Sequence, residues 1–345
     1  MISAGENTAR IGILGAGTWG IALARMLTNC GHEVSVWSAL ESEIRELSST
    51  RRQKNLPDMV IPAETDFTTD IRDACTDKDL LLLAVPSQFM RETVHKTAPY
   101  VSDDQIFVSV AKGIEPDTHF SMTRVIRDEL SKSGKNCPVA ALSGPTHAEE
   151  VAKDLPTTIV SACTDLNVAK KVQDVFMNSC MRVYTNPDIE GVELCGAVKN
   201  IIALAAGIAT GLGYGDNTRA ALITRGMAEI TRLGTAMGYC QETFFGLAGI
   251  GDLIVTATSE HSRNNRCGQL IGKGVPVKEA VEGIGMVVEG INAIPATIQL
   301  ARQYDVEMPI VFAVDQIVNQ GLSPESAVRN LMSRDGKSES EQKGS

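Results

Sequence analysis

From Arg10 onward the chain alternates short apolar runs with segments of helical character. IGIL reads as a strand, TWGIALARMLTN as a helix and HEVSVW as a second strand. Further runs follow at 80–86 (LLLLAVP), 106–111 (IFVSVA), 139–145 (VAALSGP) and 157–162 (TTIVSA). They are short, mostly aliphatic and often β-branched, and helix-like stretches separate several of them. Strands and helices in alternation predict a mostly parallel sheet covered on both faces. After about Pro187 the texture changes. EGVELCGAVKNIIALAAGIATG, TRAALITRGMAEITRLGTAMG, VKEAVEGI and INAIPATIQLARQY carry helical spacing and little that resembles a strand. Helices apolar over so much of their surface must bury one another.

The pattern divides the 345 residues into an α/β domain over 8–189, an all-helical domain over 190–335 and a polar tail over 336–345. That length suits two domains. The longest apolar stretch, about 191–210, contains Glu193, Lys199 and Asn200, and charges in mid-span argue against membrane insertion. The polar start MISAGENTAR carries no signal-peptide core. The formal net charge of −10 leaves no broad basic footprint for nucleic acid, though a small cationic cluster for a phosphorylated metabolite is compatible with it. Eight cysteines without a CxxC pair, and five histidines without ligand spacing, point to reduced thiols in a cytosolic protein and to no metal site.

Gly15-Ala16-Gly17-Thr18-Trp19-Gly20 is a GxGxxG set between the first strand and its helix. In that context Gly15 permits the tight turn, Gly17 lets a pyrophosphate reach the backbone, and Gly20 lets the helix pack on the sheet. The helix N-terminus then offers free N–H groups to the phosphates. A dinucleotide, NAD or NADP, is therefore expected on a Rossmann-type doubly wound sheet. The second strand ends at Ser38 without an acid at its tip to grip a ribose 2′-hydroxyl, although Glu41 and Glu43 follow, and Arg51 and Arg52 lie in the next loop. This balance leans towards NADP, while a solvated surface loop accounts for the arginines nearly as well.

Ligands of such sheets sit beyond the carboxyl ends of the strands. Pro86-Ser87, Lys112-Gly113 and Ser143-Gly144-Pro145-Thr146 all lie there. Thr146 with Glu149 also fits a capping box. Lys199 stands among apolar and small residues in VELCGAVKNIIALAAGIA. A lysine is rarely buried without a partner or a task. It either snorkels from a half-exposed face, which Asn200 beside it favours, or faces the cleft as an acid/base with a lowered pKa. The residues alone leave both readings open. Asp252, after Gly249-Ile250-Gly251, is a helix N-cap or a carboxylate that orients a lysine. Ser262-Arg263-Asn264 is polar surface or a phosphate grip.

These motifs, in this order, resemble the bacterial-type NAD(P)-dependent glycerol-3-phosphate dehydrogenases. The matching runs are GILGAGTWGIALA, LLAVPSQ, VSVAKGIE, LSGPTHAEEVA, CGAVKNIIALAAGIATGLGYGDNTRAALITRG, GLAGIGDL, SRN and VVEG, from Ile11 to about Gly290. The resemblance implies a second domain like the C-terminal domain of 6-phosphogluconate dehydrogenase, and a homodimer. It makes Lys199 the proton donor/acceptor, Lys112 a second lysine on substrate, and Asp252 their companion. Gly144, Thr146, Ser262, Arg263 and Asn264 become substrate contacts. Gly15, Gly17, Thr18, Trp19, Gly20, Ser38, Arg51, Lys112, Ala148, Arg263, Val287 and Glu289 become cofactor contacts. Ser38 departs from the pattern, since many relatives carry a basic residue there, and this weakens the lean towards NADP. The rival expectations are another β-hydroxyacid dehydrogenase and a catalytically silent NAD(P)-binding regulator.

Overall fold

The computed structural model describes residues 8–336, 338 and 339, so most of the polar tail expected over 336–345 lies outside the described residues, as does most of the polar N-terminal start. Eight strands form one sheet: β1 (Arg10–Leu14), β2 (Glu33–Trp37), β3 (Asp66–Thr68), β4 (Leu80–Leu83), β5 (Ile106–Ser109), β6 (Val139–Ser143), β7 (Thr157–Ala162) and β8 (Met181–Asn186). Their spatial order is β3-β2-β1-β4-β5-β6-β7-β8. All pair in parallel except β6 with β7, which run antiparallel. Strand order therefore reverses between β1 and β4, and the crevice for a ligand opens at that switch point.

The apolar runs are continuous because both faces of the sheet are covered. Along β4, Leu80 and Leu82 join the core on one side while Leu81 and Leu83 join the core on the other. All four are buried, so no polar residue is admitted between them. β3 and β8 went unread in the sequence. The first has only three residues, and β8 alternates buried with exposed positions (Met181 and Val183 inward, Arg182 and Tyr184 outward), as an edge strand does.

From Ile189 to Met332 every named element is a helix. The central helix, Ile189–Gly211, is long and apolar enough to cross a membrane by length and composition, yet its apolar window is wholly buried inside the protein. Helices Asp216–Ala236, Asp252–Thr258, Arg263–Gly272 and Glu289–Gln303 surround it. Gly207 and Gly268 allow the closest approach. A Cβ on Gly207 would stand 2.1 Å from the Asn265 carbonyl oxygen, and one on Gly268 would stand 2.2 Å from that of Leu204. Wrapped in this way, the central helix carries the polar residues of its middle, Lys199 among them, into the interior.

Candidate functional site

At the carboxyl end of β1 the chain turns through Gly15 with φ of 119°, a conformation that disfavours any side chain, and a Cβ there would lie 2.7 Å from the Ala84 carbonyl oxygen. Helix α1 (Thr18–Asn29) starts at once, with Gly17 as its N-cap and no side chain closing its first N–H groups. Nothing lies within 4 Å of where a Cβ on Gly17 would be. An uncapped helix end beneath open space suits a dinucleotide pyrophosphate, so the residues present fit the expected cofactor. Asn55 Nδ2 donates to Thr18 Oγ1 at 2.9 Å, and Trp19 packs on the sheet core.

Lys199 is 3 % exposed, which excludes the snorkelling alternative. Its Nζ donates to Asp252 Oδ1 at 2.8 Å and to Thr256 Oγ1. Asp252 is equally buried, and its second oxygen, Oδ2, accepts from Lys112 Nζ at 2.6 Å. One carboxylate thus grips two ammonium groups from opposite halves of the chain. Lys112 leaves β5 and also reaches the Gly144 carbonyl oxygen at 3.0 Å and Thr146 Oγ1 at 3.4 Å. Two cations against one anion leave a net positive site in the interior. Burial pushes Lys199 down to about 8, with the nearby Lys112 and Arg263 charges acting the same way and Asp252 opposing them. Asp252 is held below the ordinary carboxylate range: burial would raise it, and the two lysines outweigh that penalty.

At two positions the helix-start alternative falls away. Asp252 opens the helix Asp252–Thr258 but makes no cap; its carboxylate is spent on the lysines, and a π-helical turn, Leu247–Gly251, leads into it. Thr146 and Glu149 form no capping box. His147 is the N-cap residue of the short helix Ala148–Val151 and makes no side-chain cap bond, while Thr146 Oγ1 turns back to the Gly144 carbonyl at 3.1 Å. Asn200, read as favouring an exposed face, is buried instead. Its Oδ1 accepts from Asn264 Nδ2 at 3.0 Å, and Asn264 Oδ1 accepts from the Gly290 N–H at 2.9 Å. This chain of amides locks three helices around the site.

Ser262 caps the helix Arg263–Gly272 by accepting from the Asn265 N–H. Arg263 donates to the Val287 carbonyl at 3.1 Å, and burial lowers its pKa against the pull of Glu289 and Glu149. Glu289 reaches across to the end of β4, where it accepts from Ser87 N–H at 3.0 Å and from Ser87 Oγ at 2.6 Å. Gly144 supplies a carbonyl to Lys112, and Ala148, in the short helix that follows, is buried. Ser38 and Arg51 lie apart from this cluster. Ser38 Oγ donates to Glu43 Oε2, and the Arg51 guanidinium is held by the Thr65 and Pro62 carbonyls. Thr256 and Asn55 escaped the sequence reading. For Thr256 a signal existed: it lies four residues after Asp252, on the same helix face.

A family profile described as NAD-dependent glycerol-3-phosphate dehydrogenase N-terminus matches residues 10–169, and its C-terminus counterpart matches 188–329. The chain belongs to the NAD-dependent glycerol-3-phosphate dehydrogenase family. Within that family it is 67% identical to glycerol-3-phosphate dehydrogenase [NAD(P)+] 2 of Lactobacillus delbrueckii subsp. bulgaricus, over 96% of this chain and 99% of the relative. It is 48% identical to glycerol-3-phosphate dehydrogenase [NAD(P)+] of Bacillus subtilis, over 94% of each chain. The crystal structure of glycerol-3-phosphate dehydrogenase from Coxiella burnetii superposes with a TM-score of 0.90 at 37% identity, covering 95% of this chain and 99% of that one.

Proposed function

We propose that this chain catalyses the reversible transfer of a hydride between NAD(P)H and dihydroxyacetone phosphate, giving sn-glycerol 3-phosphate for glycerophospholipid synthesis. The observation that carries the proposal is the buried Asp252 carboxylate holding Lys199 and Lys112 together at the mouth of a dinucleotide crevice. When bound, the nicotinamide supplies the hydride in one direction and takes it in the other. In reduction the substrate C2 oxygen gains negative charge, and Lys199 donates a proton to it. A lysine near 8 is protonated at neutral pH yet gives up its proton far more readily than an ordinary one. Lys112 stands beside that oxygen and stabilises the developing alkoxide. Asp252 and Thr256 fix the Lys199 ammonium in direction, so proton transfer begins from an aligned position.

Gly144 and Thr146 border the substrate next to Lys112. Ser262, Arg263 and Asn264, with the N-terminal end of their helix, would take the phosphate, a guanidinium and aligned N–H groups being suited to it. Gly15, Gly17, Thr18, Trp19 and Gly20 would take the pyrophosphate end of the cofactor, with Ala148, Val287 and Glu289 further along the crevice. A cytosolic homodimer completes the proposal. It rests on the family resemblance, and light scattering on the purified chain tests the dimer.

The deciding experiment follows NADH and NADPH oxidation with added dihydroxyacetone phosphate, in the wild type and in Lys199→Ala. Substrate-dependent turnover is expected, with a loss of about 100- to 10,000-fold in the variant and little change in cofactor affinity. Near-normal turnover of the variant would remove Lys199 from the mechanism. A folded protein that binds cofactor but turns over no phosphorylated triose would overturn the whole assignment.

A further inference from the structure

At the far side of the crevice β2 ends at Trp37, and Ser38 follows at the place where folds of this strand order meet the adenosine ribose. The Ser38 side chain is buried. Its hydroxyl accepts from the Leu40 N–H at 3.2 Å and donates to Glu43 Oε2 at 2.6 Å. Glu43 lies in the first turn of helix α2 (Glu41–Thr50) and is only partly buried. The hydrogen bond ties its carboxylate to the strand end, where the missing acid would otherwise project.

The neighbouring guanidinium groups are engaged elsewhere. Arg45 pairs with Glu41 at 2.6 Å. Arg51 Nη1 donates to the Thr65 carbonyl at 2.6 Å, and its guanidinium lies 5.2 Å from the Phe67 ring centroid. Arg52 Nη1 donates to the Pro57 carbonyl at 2.6 Å. A 2′-phosphate arriving at the tip of β2 would meet a carboxylate, and each of these three guanidinium groups already has another partner.

We infer that the crevice selects the unphosphorylated dinucleotide, and that Glu43, presented by Ser38, is the residue that selects it. A carboxylate accepts a hydrogen bond from a ribose 2′-hydroxyl and repels a phosphate dianion at the same place. The lean towards NADP drawn from Arg51 and Arg52 is thereby reversed.

The inference rests on the proposed reading that this crevice holds a dinucleotide, and direct binding measured without substrate separates the two. Dissociation constants for NADH and NADPH are measured by nucleotide fluorescence on the full chain, for the wild type, Glu43→Gln and Ser38→Ala. The wild type is expected to bind NADH roughly tenfold to a hundredfold more tightly than NADPH. Glu43→Gln narrows that ratio, chiefly by tightening NADPH, and Ser38→Ala narrows it part of the way. A merely structural Glu43 would weaken both nucleotides alike and leave the ratio unmoved, which overturns the inference. So does a wild type that binds NADPH as tightly as NADH. Failure of both nucleotides to bind would overturn the dinucleotide reading itself, and the inference with it.

Discussion

Replacing Asp252 by Asn removes one negative charge and almost no volume from between two ammonium groups. Breaking a buried ion pair by deleting one partner ordinarily costs about 3–5 kcal/mol, because the other charge is left unpaired. Here the loss has a ceiling. With a pKa of about 8, Lys199 holds its proton at neutral pH by only about 1.4 kcal/mol, so it can escape an unpaired charge cheaply by releasing the proton. Asp252 is the group that raises the Lys199 pKa, by charge and by hydrogen bond, while burial, Lys112 and Arg263 lower it. Without Asp252 the lowering influences act unopposed, and the pKa should fall further. The expected stability loss is then about 1–3 kcal/mol, smaller than the ordinary figure. Catalysis should suffer more. The assay is kcat for reduction of dihydroxyacetone phosphate between pH 5 and 9, beside a urea unfolding curve at each pH. In the wild type, reduction needs the protonated lysine, so kcat should hold on the acid side and fall as pH rises through about 8. In Asp252→Asn the fall should move to lower pH, so that activity lost near neutrality partly returns on acidification. If the fall stays where it was while kcat drops uniformly, the titrating group is not Lys199 and the reasoning fails.

Two further outcomes are expected. Thr256→Val keeps the shape of a buried side chain but removes the hydroxyl that accepts from Lys199, and should lower turnover roughly tenfold with little change in KM for the triose phosphate; unchanged turnover would show that Asp252 alone orients the lysine. Burial raises the Glu193 carboxyl to about 7, from 4.5 in an unfolded chain, so the wild type loses stability as pH climbs from the lower value through the higher. Glu193→Gln keeps an acceptor for the Thr123 N–H and avoids that loss, gaining up to about 3 kcal/mol over the wild type by pH 8 and nothing at pH 4. Melting temperatures across that range check it, and a pH-independent difference would refute it.

Much of this was legible in the residues. Strands such as LLLLAVP announce themselves because both faces of the sheet are covered, and GxGxxG is legible because its glycines answer to backbone geometry that the structure reproduces at Gly15. Lys199 stood out because it contradicts its apolar surroundings. What stayed hidden depends on contacts remote in sequence. Nothing local distinguishes Asp252 as a lysine partner from Asp252 as a helix cap, since Lys112 comes from 140 residues away and Lys199 from 53. Asn200 read as a surface residue because its partner amide, on Asn264, belongs to another helix. Glu43 could not be linked to the tip of β2 until the turn before α2 brought it back to Ser38.

The Lys112–Asp252–Lys199 triangle is drawn across the seam between the sheet and the helices, with one corner on the first and two on the second. Neither half produced alone carries all three charges, since the sheet supplies Lys112 and the helices supply Lys199 and Asp252. Catalysis therefore serves as a gauge of docking: any slippage along the seam, from heat, denaturant or a distant substitution, should extinguish turnover while the circular-dichroism signature of both halves persists. Separately expressed halves, silent alone, should regain activity on mixing only to the degree that they reassemble.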